Sequence, residues 1–270
     1  MSRRIRITLS IICILACAMV IIHVPKNKKV GIYYKPINAE ISSVVYELGQ
    51  YAYSPLHYND HIYSSNANIY FDTHISLNDL GKKIGTVYGN NYVKWSTNQK
   101  ELYKSNVEGT LYSLKGFDSS YLVVIVYEQK INNSIIITPY VRLNDITLNN
   151  GRELFKSRFH IENCSSIYGV NSMDKMQGKI SGIDISLNNA IYNDFLDSLY
   201  HSKFIEPTEE ITKSLKNSDY TILTFAYDNK LQIDCHVYKN GYVSYSDGHS
   251  LFYIKMDDEK CSKLIELTNK

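Results

Sequence analysis

Hydrophobic and polar residues follow three different patterns along this chain of 270 residues. Residues 7–24 are almost continuously apolar and contain only three polar residues. Residues 220–256 alternate between apolar and polar positions, and residues 257–268 repeat apolar positions at helical spacing. A continuous apolar run of this length indicates a membrane-spanning helix, whereas alternation indicates strands with one buried face. The chain is therefore expected to combine an N-terminal anchor with an α+β region.

The first apolar segment is long enough to cross a bilayer. Its 18 residues would rise about 27 Å as an α-helix, close to the roughly 30 Å hydrocarbon core. Basic residues flank both ends, three within residues 1–6 and three within residues 26–29. The positive-inside rule therefore does not decide the orientation of the segment in the membrane. Because the tail before the segment is so short, we expect it to stay inside and residues 25–270 to be extracytoplasmic.

Two other interpretations of this segment stay open. Ala16-Cys17-Ala18 contains the small residues that a signal peptidase site needs. Ile14-Leu15-Ala16-Cys17 is similar to the motif that places a lipid on a cysteine. The apolar residues Met19–Ile22 continue beyond both motifs, which favours an uncleaved single-pass anchor.

The first half of the remaining chain gives mixed signals. Residues 41–51 are predicted to form a short helix, and the tyrosine-rich residues 56–68 a loop. Ser76, with an acidic residue three positions later, predicts the start of a helix that stops at Gly85. Residues rich in β-branched and aromatic types then predict three strands, at 110–114, 121–127 and 134–143, the last two as a hairpin.

The second half is more regular. Helices are predicted at 152–159, 187–201 and 209–215, and one or two strands at 166–185. Residues 220–256 predict a four-stranded antiparallel meander, because Asp-Asn, Asn-Gly and Asp-Gly pairs separate its apolar runs and suit tight turns. Asp257 is positioned to cap a final helix, whose stripe of Cys261, Leu264, Ile265 and Thr268 would cover the apolar face of the meander.

The predicted fold class is α+β, with a transmembrane helix followed by antiparallel sheets packed against helices. We expect a cytoplasmic tail at 1–6, the anchor at 7–24 and a lysine-rich tether at 25–40. Two α+β subdomains, 41–146 and 147–270, follow from the asparagine- and glycine-rich stretch near residue 147.

Charge and cysteine content narrow the function classes. The formal net charge is only +2, from 29 basic and 27 acidic residues, so nucleic-acid binding has no electrostatic support. Cys164, Cys235 and Cys261 lie outside the anchor, and an odd number cannot form a complete set of internal disulfides. We expect these three cysteines to be structural.

Familiar catalytic motifs are missing from the sequence, including the nucleophile elbow, the phosphate-binding loop and the HExxH zinc motif. Cys235 and His236 are adjacent, but neighbours on a strand point to opposite faces and cannot form a thiol–base pair. Asp234 and His236 share a face, yet without a nucleophile they indicate no catalysis. His57 and His61 have metal-ligand spacing only if they lie on a helix, which the surrounding loop-forming residues argue against. We expect no catalytic residue, cofactor or metal.

Tyrosine is the compositional outlier, with 24 residues. Tyrosine offers a flat apolar ring and a hydroxyl, and is favoured where proteins hold sugars or other proteins. Tyr238, Tyr242 and Tyr245 are the candidate ligand or partner surface, with ordinary half-buried sheet residues as the alternative. Trp95, the single tryptophan, is expected to be a packing residue.

Four short segments carry a resemblance: Leu80–Gly85, Tyr112–Asp118, Gly151–Phe155 and Lys239–Val243. They resemble a group of uncharacterised, membrane-anchored exported proteins of Gram-positive anaerobic bacteria. Some members are attached to, or encoded beside, membrane proteins that resemble the sensor-transducers of the β-lactam response. The resemblance implies an anchored extracytoplasmic protein and carries over no catalytic residue.

The leading hypothesis is a membrane-tethered, extracytoplasmic, non-enzymatic binding or sensory module. Its partner would be an envelope protein or a cell-wall glycan, besides the membrane itself. A cell-envelope hydrolase with an active site outside known motifs and a structural accessory subunit of a membrane complex are the alternatives.

Overall fold

The computed structural model describes residues 32–33, 56–59, 61–65, 68–89, 104–105, 108–129, 134–142, 146–171, 183–186, 189–205, 208–246 and 251–268. The predicted anchor, and the helix predicted at 41–51, lie outside these residues. Among the residues that are described, every helix is too short or too polar to span a bilayer. Residues 31–270 group into one compact unit.

Ten short or medium strands precede residue 150 in the described part of the chain. They are β1 Ile32–Tyr33, β2 Leu56–Tyr58, β3 His61–Tyr63, β4 Ile69–Phe71, β5 Leu80–Gly89, β6 Lys104–Ser105, β7 Gly109–Leu114, β8 Leu122–Gln129, β9 Ser134–Val141 and β10 Thr147–Leu148. Seven of them form one sheet in the order β3-β2-β6-β5-β7-β8-β9, and β1 pairs with β10. Ser64, which follows β3, bridges to Val141 at the end of β9, so the outermost strands of this sheet meet.

The later strands are β11 Ser166–Asn171, β12 Ile183–Asp184, β13 Phe204–Ile205, β14 Tyr220–Ala226, β15 Leu231–Tyr238, β16 Tyr242–Ser246 and β17 Leu251–Lys255. They form a second sheet in the order β12-β11-β14-β15-β16-β17-β13, and β4 adds to β15. Every pairing in this second sheet is antiparallel. The predicted meander is therefore confirmed as its centre.

Three α-helices accompany the second sheet in the described chain: α1 Ala190–His201, α2 Glu209–Lys216 and α3 Asp258–Thr268. A π-helical turn at Arg152–Lys156 and 3-10 turns at Leu77–Asp79 and Ile161–Asn163 complete the elements. Asn189 caps α1 by accepting hydrogen bonds from two backbone N–H groups, and Asp257 accepts from the N–H of Glu259 at 2.9 Å. Short polar side chains at these positions satisfy N–H groups that a helix start leaves unpaired.

The C-terminal helix packs as its sequence pattern predicts. Its buried residues are Cys261, Leu264, Ile265 and Thr268, the four positions of the predicted stripe. Thr268 lies directly over Gly169 of β11, where any added Cβ would come within 2.0 Å of the threonine methyl group. In α1 the predicted stripe is confirmed at Phe195 and Leu199, and Tyr192 joins them in the interior.

The described residues form two hydrophobic cores. The large core joins residues from both sheets, α1, α3 and the π-helical turn. The small core consists only of residues from the seven-stranded sheet: Leu56, Tyr58, Tyr63, Val87, Leu111, Val123, Ile125 and Tyr140. The large core is continuous across the predicted boundary near residue 147, and β4, which precedes this boundary, pairs with β15 of the second sheet.

Two predictions of local structure are wrong. The loop predicted at 56–68 contains the β2–β3 hairpin, whose turn uses Asn59 at a positive φ of 48°. The helix predicted from Ser76 stops after one 3-10 turn, although the reciprocal Ser76–Asp79 capping contacts do form. The next residues enter β5 because Gly81 lies against Ser113 of β7, where a Cβ would come within 2.4 Å of the serine hydroxyl. Strand pairing therefore overrides the local capping signal.

Candidate functional site

Two cavities meet at His160, between the loop after β7 and the chain that leads into the second sheet. The first has a volume of about 460 Å³ and the second about 390 Å³. We call the pair the His160 groove. Volumes of this size match the lower range of small-molecule sites in proteins.

Polar side chains dominate the first cavity. Asp118 and Ser120 come from the β7–β8 loop, Asn149 precedes the π-helical turn, Glu153 lies within that turn, and Arg158 follows it. The shape of this wall is set locally, because the carboxylate of Glu153 accepts hydrogen bonds from the Asn149 backbone N–H at 2.7 Å and from its side-chain amide at 2.8 Å. Both oxygens of Glu153 are therefore already engaged.

Arg158 contributes the cation of the first cavity. Its guanidinium carbon lies 5.2 Å from the centre of the Tyr121 ring, within the range of a cation–π contact. Among the described residues, no carboxylate lies within ion-pair distance of Arg158. The carboxylate of Asp118 accepts a hydrogen bond from the Ser120 backbone N–H at 2.8 Å through Oδ1. Both charged groups thus keep hydrogen-bonding capacity for a ligand.

The second cavity has an aromatic wall. Phe117 meets Tyr227 edge to face at 5.3 Å between ring centres, and its ring centre lies 6.0 Å from that of His160. The hydroxyl of Tyr227 donates to the carbonyl of Phe159 at 2.6 Å, and burial raises its pKa well above the ordinary value. Tyr227 is therefore a fixed, neutral support behind the half-buried Phe117 ring.

Two hydrogen bonds hold the loop that carries Phe117. The side-chain amide of Asn229, in the β14–β15 turn, donates to the carbonyl of Lys115 at 2.7 Å. Lys115 in turn reaches the carbonyl of Asn78 through its ammonium group. The two sheets are thus tied together beside the second cavity.

His160 lies at the junction of the cavities in an unusual conformation. Its φ of 51° and ψ of 44° are left-handed, which non-glycine residues seldom adopt and histidine adopts more often than most. The backbone is held there by bonds on both sides, with the His160 N–H donating to Lys156 and its carbonyl accepting from Asn163. Strained residues of this kind concentrate at functional sites.

The structure does not bring the three predicted tyrosines together. Tyr245 is 2% exposed and packs inside the large core, between Phe159 at 5.1 Å and Phe252 at 6.2 Å. Tyr238 and Tyr242 lie on the opposite face of the second sheet, where both are half-buried. The reason is strand periodicity, since positions 242 and 245 on one strand differ by an odd number. Whether Tyr238 and Tyr242 bind a partner stays a prediction.

The other sequence candidates occupy ordinary structural positions. Cys235 is fully buried and His236 lies half-buried on the opposite face, as strand alternation predicts. Asp234 is only 3% exposed and accepts a hydrogen bond from Thr224 at 2.6 Å, so the Asp–His pair is less open than its sequence suggests. Burial raises the pKa of Cys164 and of Cys261 to about 12, and these thiols are neutral near pH 7.

Metal binding at His57 and His61 gains no support. The two residues lie on paired strands rather than on one helix, with His57 opposite Ile62 and His61 opposite Tyr58. Within the described part of the chain, no group of three or more His, Cys, Asp or Glu residues is arranged to hold a metal ion.

Sequence reasoning did not find the groove, because its residues belong to loops far apart in the chain. Gly116, with a φ of 83°, and the asparagine pair before Gly151 were visible only as turn signals. Searches against protein-family models, curated proteins and solved structures find no match to this chain.

Proposed function

We propose that this chain is a membrane-tethered, extracytoplasmic, non-enzymatic binding or sensory module, and that its ligand occupies the His160 groove. The observation that carries the proposal is the groove itself. It combines a polar cavity, an aromatic cavity and a backbone-strained histidine at their junction. The apolar segment at 7–24 and the resemblance to anchored exported proteins support the tether and its location.

A hydrolase is the alternative that the first cavity invites, because Asp118 and Glu153 both line it. Hydrolysis by two carboxylates needs one acid with a raised pKa and one ionised base or nucleophile. Both oxygens of Glu153 instead accept hydrogen bonds from Asn149, and these bonds occupy the atoms that would react. This engagement favours a binding role.

Photo-crosslinking in intact cells tests the binding site. The full-length chain would carry a benzophenone amino acid at Ser120 or at Ser157, two exposed residues that line the groove. Glu210, an exposed residue of α2, is the matched control position. We expect light-dependent adducts at 120 and 157 and none at 210. Equal adducts at all three positions, or adducts at 210 alone, would remove the groove as the binding site.

The tether and its side are tested separately. Membrane fractionation should recover the chain with the bilayer, and protease added to intact spheroplasts should digest residues after the anchor. A protected C-terminal region would contradict the extracytoplasmic location. Release of the chain into the medium would contradict the tether.

A further inference from the structure

We infer that the ligand of the His160 groove is a sugar chain, recognised through its hydroxyl groups and one apolar ring face. This inference rests on the function proposed above and specifies the ligand class of the same site.

The hydrogen-bonding groups of the first cavity suit hydroxyls. Asp118 can only accept and Arg158 can only donate, whereas Ser120, Ser157 and Asn149 can do both. A hydroxyl also donates and accepts, so a ligand with many hydroxyls finds a partner at each of these positions.

The first cavity contains side chains of both charges, which disfavours a ligand that carries a net charge of either sign. An anion would meet Arg158 favourably but would lie beside the carboxylates of Asp118 and Glu153. A cation would find those carboxylates but would lie beside Arg158. Placing like charges together in one cavity costs free energy that a neutral ligand avoids. A neutral sugar therefore fits the mixed lining better than a singly charged molecule.

The second cavity adds an apolar surface. Phe117 is half-buried, lines this cavity and is backed by the buried ring of Tyr227. One face of a sugar ring presents C–H groups, which pack on an aromatic ring as an apolar surface does. Because the two cavities share His160, a linear ligand of at least two units would contact both.

Binding measurements on the full-length chain in detergent micelles test the inference. The sugar probes are uncharged: chitin oligosaccharides and an array of neutral bacterial-surface oligosaccharides; free stem peptides are the charged, non-sugar probe. We expect binding to at least one sugar probe and none to the peptides. Between about 50 and about 500 mM NaCl the Kd should change by less than about twofold, because salt screens charge–charge contacts and leaves neutral ones.

Variants test the contribution of the Phe117 ring separately from those of the charged side chains. Phe117→Ala and the more conservative Phe117→Leu should each weaken sugar binding by about tenfold or more, since both remove the aromatic face. Tyr220→Ala, which removes a half-buried ring on the far face of β14, is the control and should leave binding unchanged. Asp118→Asn and Arg158→Gln keep hydrogen-bonding groups and should weaken binding by only about two- to fivefold. Thermal melts identify any variant that fails to fold.

The outcomes distinguish the two proposals. Binding of stem peptides alone, or a loss above about 100-fold on neutralising Asp118 or Arg158, overturns the sugar ligand. Peptide or protein adducts at positions 120 and 157 would do the same while leaving the binding module intact. Absence of both sugar binding and site-specific adducts would overturn both.

Discussion

The seven-stranded sheet encloses a small core made only of its own residues, whereas the second sheet relies on α1, α3 and the π-helical turn to cover its apolar face. The seven-stranded sheet can enclose its own core because the bridge between Ser64 and Val141 brings its outer strands together. The second sheet spreads from β12 to β13 without such a closure among the described strands. One sheet thus makes its own interior, and the other depends on helices.

Strand β8 contributes residues to both hydrophobic cores. Leu122 and Val124 face the large core, while Val123 and Ile125 face the small one, and all four are completely buried. A strand buried on both faces reads as a continuous apolar run, which is how residues 122–126 appear in the sequence. The difference between the cores therefore does not make them independent, because β8, like β5, β7 and β9, contributes residues to both.

The largest expected effect lies in the helix-covered core. Leu264→Ala should lower the free energy of unfolding by about 2 to 5 kcal/mol, because it removes a fully buried side chain and leaves a cavity. Lys263→Ala, the neighbouring surface change, should leave the free energy of unfolding nearly unchanged, since its ion pair with Glu259 is exposed. Urea melts of both variants measure the difference. Equal, small losses would mean that α3 does not seal the sheet.

The matching change in the small core is Leu111→Ala. We expect a loss of about 2 to 3 kcal/mol, near the lower end for buried leucine, because a small core at the edge of the molecule can relax around the gap. The melt should remain one transition, since β8 couples the cores. Calorimetry that resolved two transitions would instead show that the cores unfold separately.

Alkaline pH should act mainly on the helix-covered core, which holds all three described cysteines. The pKa of Cys164 is about 12 when folded, against an ordinary value of 9.0. The neutral thiol therefore stabilises the fold fully below pH 9, and this contribution is lost as pH rises toward 12. Between those limits wild type should lose about 1.4 kcal/mol more per pH unit than Cys164→Ala. Parallel pH profiles from urea melts would contradict this.

The smallest effect concerns the groove where the sheets meet. At His160 glycine fits the left-handed backbone without strain, so His160→Gly should be about 0.5 to 1 kcal/mol more stable than His160→Ala. Both variants lose the imidazole and should weaken ligand binding alike. A glycine variant less stable than the alanine variant would show that the surroundings, not the histidine, set this backbone conformation.

The sequence was most informative where periodicity is directly visible. The meander and α3 were predictable because apolar residues recur every second position before Asp257 and every third or fourth after it. The strand β5 was not, because its formation depends on Gly81 lying against Ser113, a contact 32 residues away along the chain. The capping residues at Ser76 instead predict a helix at this position.

The groove could not be predicted for a related reason. Phe117, His160 and Asn229 lie in turns, where the spacing of residues carries no periodic information. Only the packing of two sheets brings them together. Tyr242 and Tyr245 are a different case, because both lie on β16 and their odd spacing on one strand already predicts opposite faces.

The closure at Ser64 and Val141 bears on how this protein avoids aggregation. An exposed edge strand offers unpaired N–H and C=O groups to other chains, and joining the outer strands removes part of such an edge. Pro139 in the same strand supplies no N–H at all. At the far end of β9, however, Ile135 is 62% exposed beside two further isoleucines. If molecules crowd together on a surface, intermolecular strand addition would begin at this end of β9.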